Sequence, residues 1–514
     1  MKPLTKTWIA IWLLCSLFVF ESSAQQSTNK DTGSCLPCSE LKNLKLPDVT
    51  IILSELVKPD TSNKEYTEKP HCKVLGVIGK EINFELLLPD EWNGRFAMGG
   101  GGGFVGNIQN GSRYSINRGF ATAGTDTGHK GNGVKADWAL NNLERQVNFG
   151  HLAIHRTAEV SKSLIYNYYC AEVEFSYFIG CSRGGGQALM EAQRYPEDFN
   201  GIITGAPAYN WPELTAEFIQ NSQAVYPNSD DLENPVITSD NLKLLQKAVL
   251  DACDQIDGIE DGIMNDPRDC NFKLSDLPIC KEGRAGKDCF TKKQIEAIKI
   301  IYEGVNIDGE KIYPGFPFGG ENDNGGWIAW IVGPNTFLKP LNFPSLQFGF
   351  GTEVMKYFVF NDPDWDYSTY DFENFKRDTE YAASNLNATS TDYSKFKNNN
   401  GKMILWHGWE DAALSALSTI NYYESVKKTD SEVENYLKLY LLPGVLHCGG
   451  GPGPDHADWL EIIQKWVEKG EAPDRVIVSK KEHGKVVISR PVYPYPRKAV
   501  YDGEGDPNTE SSFK

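Results

Sequence analysis

The spacing of apolar positions changes several times along the chain, and each change marks an element. Residues 73–88 alternate in the manner of two strands and stop at Pro89-Asp90. Arg95 to Met98 is a further short strand running into Gly99 to Gly103, and Phe120 to Ala123 runs into the turn Gly124-Thr125-Asp126. From 146 to 169 the apolar residues Val147, Phe149, Leu152, Ile154, Ala158, Leu164 and Ile165 recur at helical spacing. Phe175 to Ile179 is a continuous apolar strand, followed at once by Gly180-Cys181-Ser182-Arg183-Gly184 and a helical run to Tyr195. Gly201 to Gly205 is another strand. Strands alternating with helices predict a parallel sheet covered on both faces. The pattern dissolves between Pro207 and Lys395, where turns, aromatic residues and cysteines dominate. It returns in the apolar strands 402–406 and 437–442 and in the helical run Asp458 to Lys469, which ends at Gly470. We expect an α/β chain in which residues 25–207 and 396–514 build one domain, interrupted by an inserted domain over 208–395.

The first residues stand outside this pattern. Lys2 and Lys6 precede an apolar stretch from Trp8 to Phe20, and Ser22-Ser23-Ala24 offers small residues for cleavage. That is the layout of an export signal, so residues 1–24 are expected to be removed and the chain exported, to the periplasm or the outside. The stretch is short for a membrane span, and no later one approaches the roughly 20 apolar residues a span needs. Cys15 lies inside the apolar run and lacks the small residue expected before a lipidated cysteine. The formal net charge of −18 disfavours nucleic acid and anionic membranes as partners. Of the 11 cysteines, all but Cys15 fall in the mature chain, an even number in a compartment that permits disulfides. Zinc is the competing reading, but the lone C-x-x-C, Cys35 to Cys38, has no second half.

Gly180-x-Ser182-x-Gly184 between a strand and a helix fits a nucleophile elbow, whose glycines permit a tight turn presenting a serine hydroxyl. Alone the pattern is weak, because Gly and Ser are common in loops. A serine needs a base, and the base an orienting carboxylate, in the chain order serine, acid, histidine. Downstream lie His407, His447, His456 and His483. His447 follows an apolar strand and the Pro443-Gly444 turn, where an imidazole can be presented. His483 sits in a charged surface stretch, and His456 is the second choice. Asp411 lies just past the strand ending at Trp406, with Glu410 as the rival acid. Cys181 precedes Ser182 and Cys448 follows His447, so a serine–histidine hydrogen bond would bring these cysteines within disulfide reach. That pairing competes with Cys181 acting as a nucleophile itself. The run Gly99 to Gly103 closes an early strand and frees backbone N–H groups for an oxyanion, with no Lys-Ser/Thr after it to suggest a phosphate loop. The expected donors are the N–H of Gly102, or a neighbour, and that of Arg183.

Inside the insertion, Asp254-Gln255-Ile256-Asp257-Gly258-Ile259-Glu260-Asp261-Gly262-Ile263 groups carboxylates around glycine turns. Such a loop suits calcium, a hard cation ligated by oxygen, although the spacing is not that of an EF-hand and a solvated acidic turn is the bland reading.

Cys181-Ser182-x-Gly184-Gly185 together with His447-Cys448 resembles the tannase and feruloyl esterase family, which also includes a terephthalate monoester hydrolase. The likeness continues in Trp92-Asn93-Gly94-Arg95-Phe96, Thr125-Asp126-Thr127-Gly128-His129, Asn148-Phe149-Gly150, Gly205-Ala206-Pro207-Ala208, His407-Gly408-Trp409-x-Asp411 and Trp466-Val467-Glu468-x-Gly470-x-Ala472-Pro473. The resemblance implies an α/β-hydrolase core with a lid domain after Gly-Ala-Pro, and a triad falling on Ser182, Asp411 and His447. It implies the Cys181–Cys448 bridge and pairs Cys38 with Cys72, Cys253 with Cys270 and Cys280 with Cys289. Cys35 and Cys170 are left over, and whether they pair stays open. The resemblance also implies a structural calcium held by Asp254, Asp257 and Asp261 and the carbonyls of Ile259 and Ile263, with no organic cofactor. The expected activity is hydrolysis of plant-derived feruloyl or galloyl esters. A terephthalate monoester hydrolase, a peptidase with the same triad, and a non-catalytic glycan- or polyphenol-binding relative are the alternatives.

Overall fold

The apolar strands seen in the sequence assemble into one nine-stranded sheet. The computed structural model describes residues 35–59, 68–281, 286–334 and 336–514; the expected export signal and Cys15 lie outside them. In chain order the strands are β1 (Val49–Val57), β2 (His71–Ile78), β3 (Ile82–Pro89), β4 (Arg95–Gly99), β5 (Ala121–Thr125), β6 (Phe175–Cys181), β7 (Gly201–Gly205), β8 (Asn306–Ile307), β9 (Glu310–Lys311), β10 (Lys402–Gly408), β11 (Leu437–Leu442), β12 (Val476–Glu482) and β13 (Lys485–Val492). The sheet order is β1-β2-β3-β5-β4-β6-β7-β10-β11. β1, β2, β3 and β5 pair antiparallel in succession, and from β5 to β11 every pairing is parallel.

Continuous apolar runs mark these central strands because both faces are covered. Phe178, Ile202, Met403 and Leu405 join a core shared with the helices Ala153–Tyr169, Arg183–Arg194 and Ala416–Thr429. Their neighbours Tyr177, Ile203, Ile404 and Trp406 turn to the opposite face, against Leu460, Ile463 and Trp466 of the helix Trp459–Lys469. That helix stops at Gly470 in the left-handed region, as its sequence predicts.

Two parts of the sheet inventory escaped the sequence pattern. β1 is an edge strand whose register shifts between Ile51 and Leu53, leaving Ile52 and Leu56 exposed, so its alternation is broken. The β12–β13 hairpin is charged at its tip and turns through His483 and Gly484, both at positive φ.

The segment between β7 and β10 contributes nothing to the large sheet. It carries the helices Trp211–Val225, Ser239–Cys253, Lys292–Glu303, Leu346–Val354 and Phe375–Leu386, with the β8–β9 ribbon. These helices replace the turns that the sequence suggested. Two of them open with capping boxes, Thr238 with Asn241 and Thr291 with Gln294. Residues 36–514 nevertheless form one compact unit. Cys38–Cys72, Cys181–Cys448, Cys253–Cys270 and Cys280–Cys289 are disulfides, and Cys35 and Cys170 are disulfide-bonded as well. Among the described residues no helix is long and apolar enough to cross a membrane.

Candidate active site

β6 ends at Cys181 and the next helix begins at Arg183, so Ser182 makes the whole turn. It does so at φ 61° and ψ −123°, a conformation rare for a residue with a side chain. Three backbone hydrogen bonds hold it there. Ser182 N–H donates to Gly205 at 3.0 Å, and its carbonyl accepts from Gly186 at 3.0 Å and Ala208 at 2.9 Å. The turn is so tight that a Cβ on Gly180 would lie 2.2 Å from the Gly184 carbonyl oxygen, which is why glycine stands there.

Asp411 follows β10 and is completely enclosed. Its Oδ1 accepts the N–H groups of Ala413 at 2.8 Å and Leu414 at 2.9 Å. Its Oδ2 accepts from His447 Nδ1 at 2.7 Å and from His407 Nε2 at 3.1 Å. Burial alone would raise this carboxyl, but electrostatic attraction to His447 and the hydrogen bonds from both histidines outweigh it and hold the group well below the usual carboxylate range. Because His447 Nδ1 faces a carboxylate, it carries the proton and Nε2 keeps the lone pair, as a base requires. Glu410, the rival acid, makes no hydrogen bond to either histidine among the described residues. Burial, then the charges of Asp323 and Glu321, push its carboxyl well up.

His407 is a residue whose role the sequence did not suggest. Its Nε2 faces two acceptors, Asp411 Oδ2 and the Leu414 carbonyl at 2.9 Å, so that nitrogen bears hydrogen. Its Nδ1 meets Thr419 Oγ1 at 2.8 Å. The available signal was its spacing: it stands four residues before Asp411 at the same strand end.

Ser182 and His447 meet at one cavity of about 310 Å³, between the sheet edge and the inserted helices. The Cys181–Cys448 bridge, with Cα atoms 6.0 Å apart, ties their neighbours together. No hydrogen bond joins the Ser182 hydroxyl to His447 among the described residues; such contacts commonly tighten only around substrate. Trp330 packs edge-on against the His447 ring at 4.9 Å. Trp211, Leu214, Phe218, Phe350 and Leu414 make up most of the remaining wall. His456 pairs through its backbone with Ser479, and His483 sits in the β12–β13 turn; neither lines the cavity.

Gly102 and Gly103 also face this cavity. The Gly102 N–H is engaged, donating to Gln109 Oε1 at 2.8 Å, and Gly101 N–H donates to Gln187 Oε1 at 3.1 Å. The expectation for Gly102 therefore moves one residue on, to the Gly103 N–H, which has no acceptor among the described residues. The Arg183 N–H stands at the helix start beside Ser182, where such donors are free. Its guanidinium turns to the Phe149 carbonyl and, at 2.9 Å, to that of Gly150, stacking over the Phe149 ring. Burial without a carboxylate partner lowers it to about 9.

The acidic loop expected to hold calcium is folded by its own carboxylates. Asp254 accepts from Gly262 N–H, Asp257 from those of Ile259 and Asn265, and Asp261 from Ile263. Burial first, then the Asp261 charge, raises Asp254 and Asp257, a repulsion that a cation would relieve. The all-oxygen donor set fits calcium, although Arg490 already pairs with Asp261.

The chain is thus built as an α/β-hydrolase. The model of the tannase and feruloyl esterase family matches residues 69–514, and the chain belongs to that family. It is 31% identical to mono(2-hydroxyethyl) terephthalate hydrolase of Piscinibacter sakaiensis, over 86% of this chain and 84% of that protein. It is 30% identical to a probable feruloyl esterase B-2 of Aspergillus terreus, over 86% and 85%. The crystal structure of feruloyl esterase B from Aspergillus oryzae superposes with a TM-score of 0.81 at 25% identity, covering 93% of this chain and 99% of that one. The chain is accordingly a carboxylic ester hydrolase.

Proposed function

We propose that this is an exported serine esterase that hydrolyses esters of aromatic acids, of the hydroxycinnamoyl (feruloyl) or galloyl type, through an acyl-serine. His447 Nε2 takes the Ser182 proton as the hydroxyl oxygen attacks the ester carbonyl, and Asp411 stabilises the imidazolium so formed. The oxyanion collects on the N–H groups of Gly103 and Arg183. Collapse passes the proton to the leaving alcohol, and water activated by His447 then releases the acid. The segment 208–395 acts as a lid over the site. Calcium held by Asp254, Asp257, Asp261 and the carbonyls of Ile259 and Ile263 would brace that segment. The chain's disulfides support export.

The observation carrying this reading is the cavity wall. It is mostly aromatic and aliphatic, and its one cationic side chain, Arg183, gives Nη2 to the Phe149 and Gly150 carbonyls while Nε and Nη1 are buried without an acceptor among the described residues. A flat aromatic acyl group can pack on that wall, whereas a free carboxylate would lose its water among apolar side chains. Methyl ferulate, methyl gallate and a terephthalate monoester assayed side by side test this. We expect kcat/KM at least about tenfold lower for the terephthalate, a penalty of about 1.4 kcal/mol. Ser182→Ala should abolish turnover of all three, by on the order of 10⁶-fold. Preference for the terephthalate would reverse the substrate assignment, and turnover surviving in Ser182→Ala would end the serine mechanism.

A further inference from the structure

The helix that starts beside Ser182 ends in a polar cluster that ester hydrolysis does not use. Glu191 on that helix, His155 on the helix Ala153–Tyr169 and Asp198 in the turn before β7 each bring a ligand atom within 4.8 Å of the other two. Glu191 is 1% exposed, and neither of its carboxylate oxygens has a hydrogen-bond donor. His155 Nδ1 sits 2.7 Å from Asp198 Oδ2, and its Nε2 is 3.6 Å from Glu159 Oε2. The nearby ammonium, Lys162, is bonded to the Asp198 backbone carbonyl rather than to a carboxylate. Tyr195 stacks flat on the His155 ring at 3.9 Å and fixes its plane.

A buried carboxylate such as that of Glu191, beside a second carboxylate and with no donor of its own, requires either a shared proton or a cation. We propose that His155, Glu191 and Asp198 form a site for a divalent transition-metal ion, with zinc as its best match. One imidazole with two carboxylates is a mixed nitrogen and oxygen set, unlike the all-oxygen sites calcium takes. Tetrahedral zinc with bonds of about 2.0–2.1 Å spaces its ligands by roughly 3.3 Å, so His155 and Asp198 need part by only about half an ångström. The ion enters from the half-buried side of His155, with Glu191 as the floor. Glu191 lies about 13 Å along the helix from Ser182, so the ion ties down the far end of the nucleophile's helix and touches no reacting atom.

Zinc chloride titrated into the full chain, in buffer holding excess calcium chloride, tests the site while the acidic loop stays saturated with its own ion. Bound zinc is counted by elemental analysis after gel filtration, and the unfolding midpoint is followed against zinc concentration. We expect one zinc per chain and a midpoint that climbs with zinc. Both should vanish in Glu191→Gln and in His155→Gln, and persist in Asp254→Asn. His155→Gln keeps both carboxylates and carries the test if Glu191→Gln does not fold. Equal zinc in wild type and in both Glu191→Gln and His155→Gln, or none in wild type, overturns the proposal.

Discussion

The loop after β10 and the helix Trp211–Val225 each bury a carboxylate completely, and they leave it in opposite states. Asp411 accepts four hydrogen bonds, two from backbone N–H groups and two from histidines, and burial fails to neutralise it. Glu217 has Asn221 as a donor to one oxygen while the other is unpartnered, and burial pushes it up to about 8. Depth is the same in both places. The neighbours decide the charge: two histidines beside Asp411, one amide beside Glu217. On the sheet side the buried anion faces His447, the histidine that the proposed mechanism makes cationic during turnover. In the inserted helices the buried carboxyl is kept neutral and serves packing.

The strongest way to break this contrast is to remove the Asp411 charge. Asp411→Asn keeps the shape but should cost on the order of 10⁴-fold in kcat, because the amide favours the wrong His447 tautomer. A smaller loss checked by steady-state kinetics would mean that the buried anion is not what orients the base. His407→Leu removes one of the four donors and should lower kcat by about 10- to 100-fold with little change in KM, in keeping with about 1.5–3 kcal/mol for a hydrogen bond to a charged group. The gentlest test lies in the inserted helices. Between the ordinary glutamate range near 4.5 and about 8, the native chain holds the Glu217 proton and the unfolded chain does not. Stability must therefore fall as pH rises through that window, by at most about 1.4 kcal/mol per unit. Glu217→Gln should flatten that part of the stability profile in urea titrations run at several pH values, and an unchanged slope would assign the proton elsewhere.

The same two regions differ in how much of them could be read from sequence. β6, β10 and β11 announce themselves because strands buried on both faces must be apolar at every position. Ser182, Asp411 and His447, which the sequence singled out, stand at or just beyond their ends, and Ser182 and His447 line one cavity. Cys181 and Cys448 added a constraint of their own, and the bridge they form is present. The helices between β7 and β10 were passed over for two reasons: Leu346–Val354 buries nearly every residue and shows no period, whereas Ser239–Cys253 and Phe375–Leu386 do carry one buried stripe (Leu242, Leu245, Val249 and Cys253; Phe375, Thr379, Ala382 and Leu386) but lie among turns and aromatic residues that mask it. His407 was missed for a different reason. Its partner is a carboxylate one helical turn away in number but across a loop in space, and no residue type marks that contact. Of the expected oxyanion donors, Gly102 or a neighbour, the Gly102 N–H is claimed by the side chain of Gln109, which only the fold brings near, and the proposed donor is therefore the neighbour Gly103.

The Cys181–Cys448 bond has one more consequence. It closes the chain from 181 to 448 into a covalent circle, and the whole segment between β7 and β10 belongs to that circle. A protease that cuts a loop of this segment opens the circle without releasing either part. The fragment bearing Ser182 and the fragment bearing His447 stay joined through sulfur, migrating as two pieces only after reduction. A nick in its longest insertion is thus an injury the molecule can carry as one piece, which suits the export proposed for it.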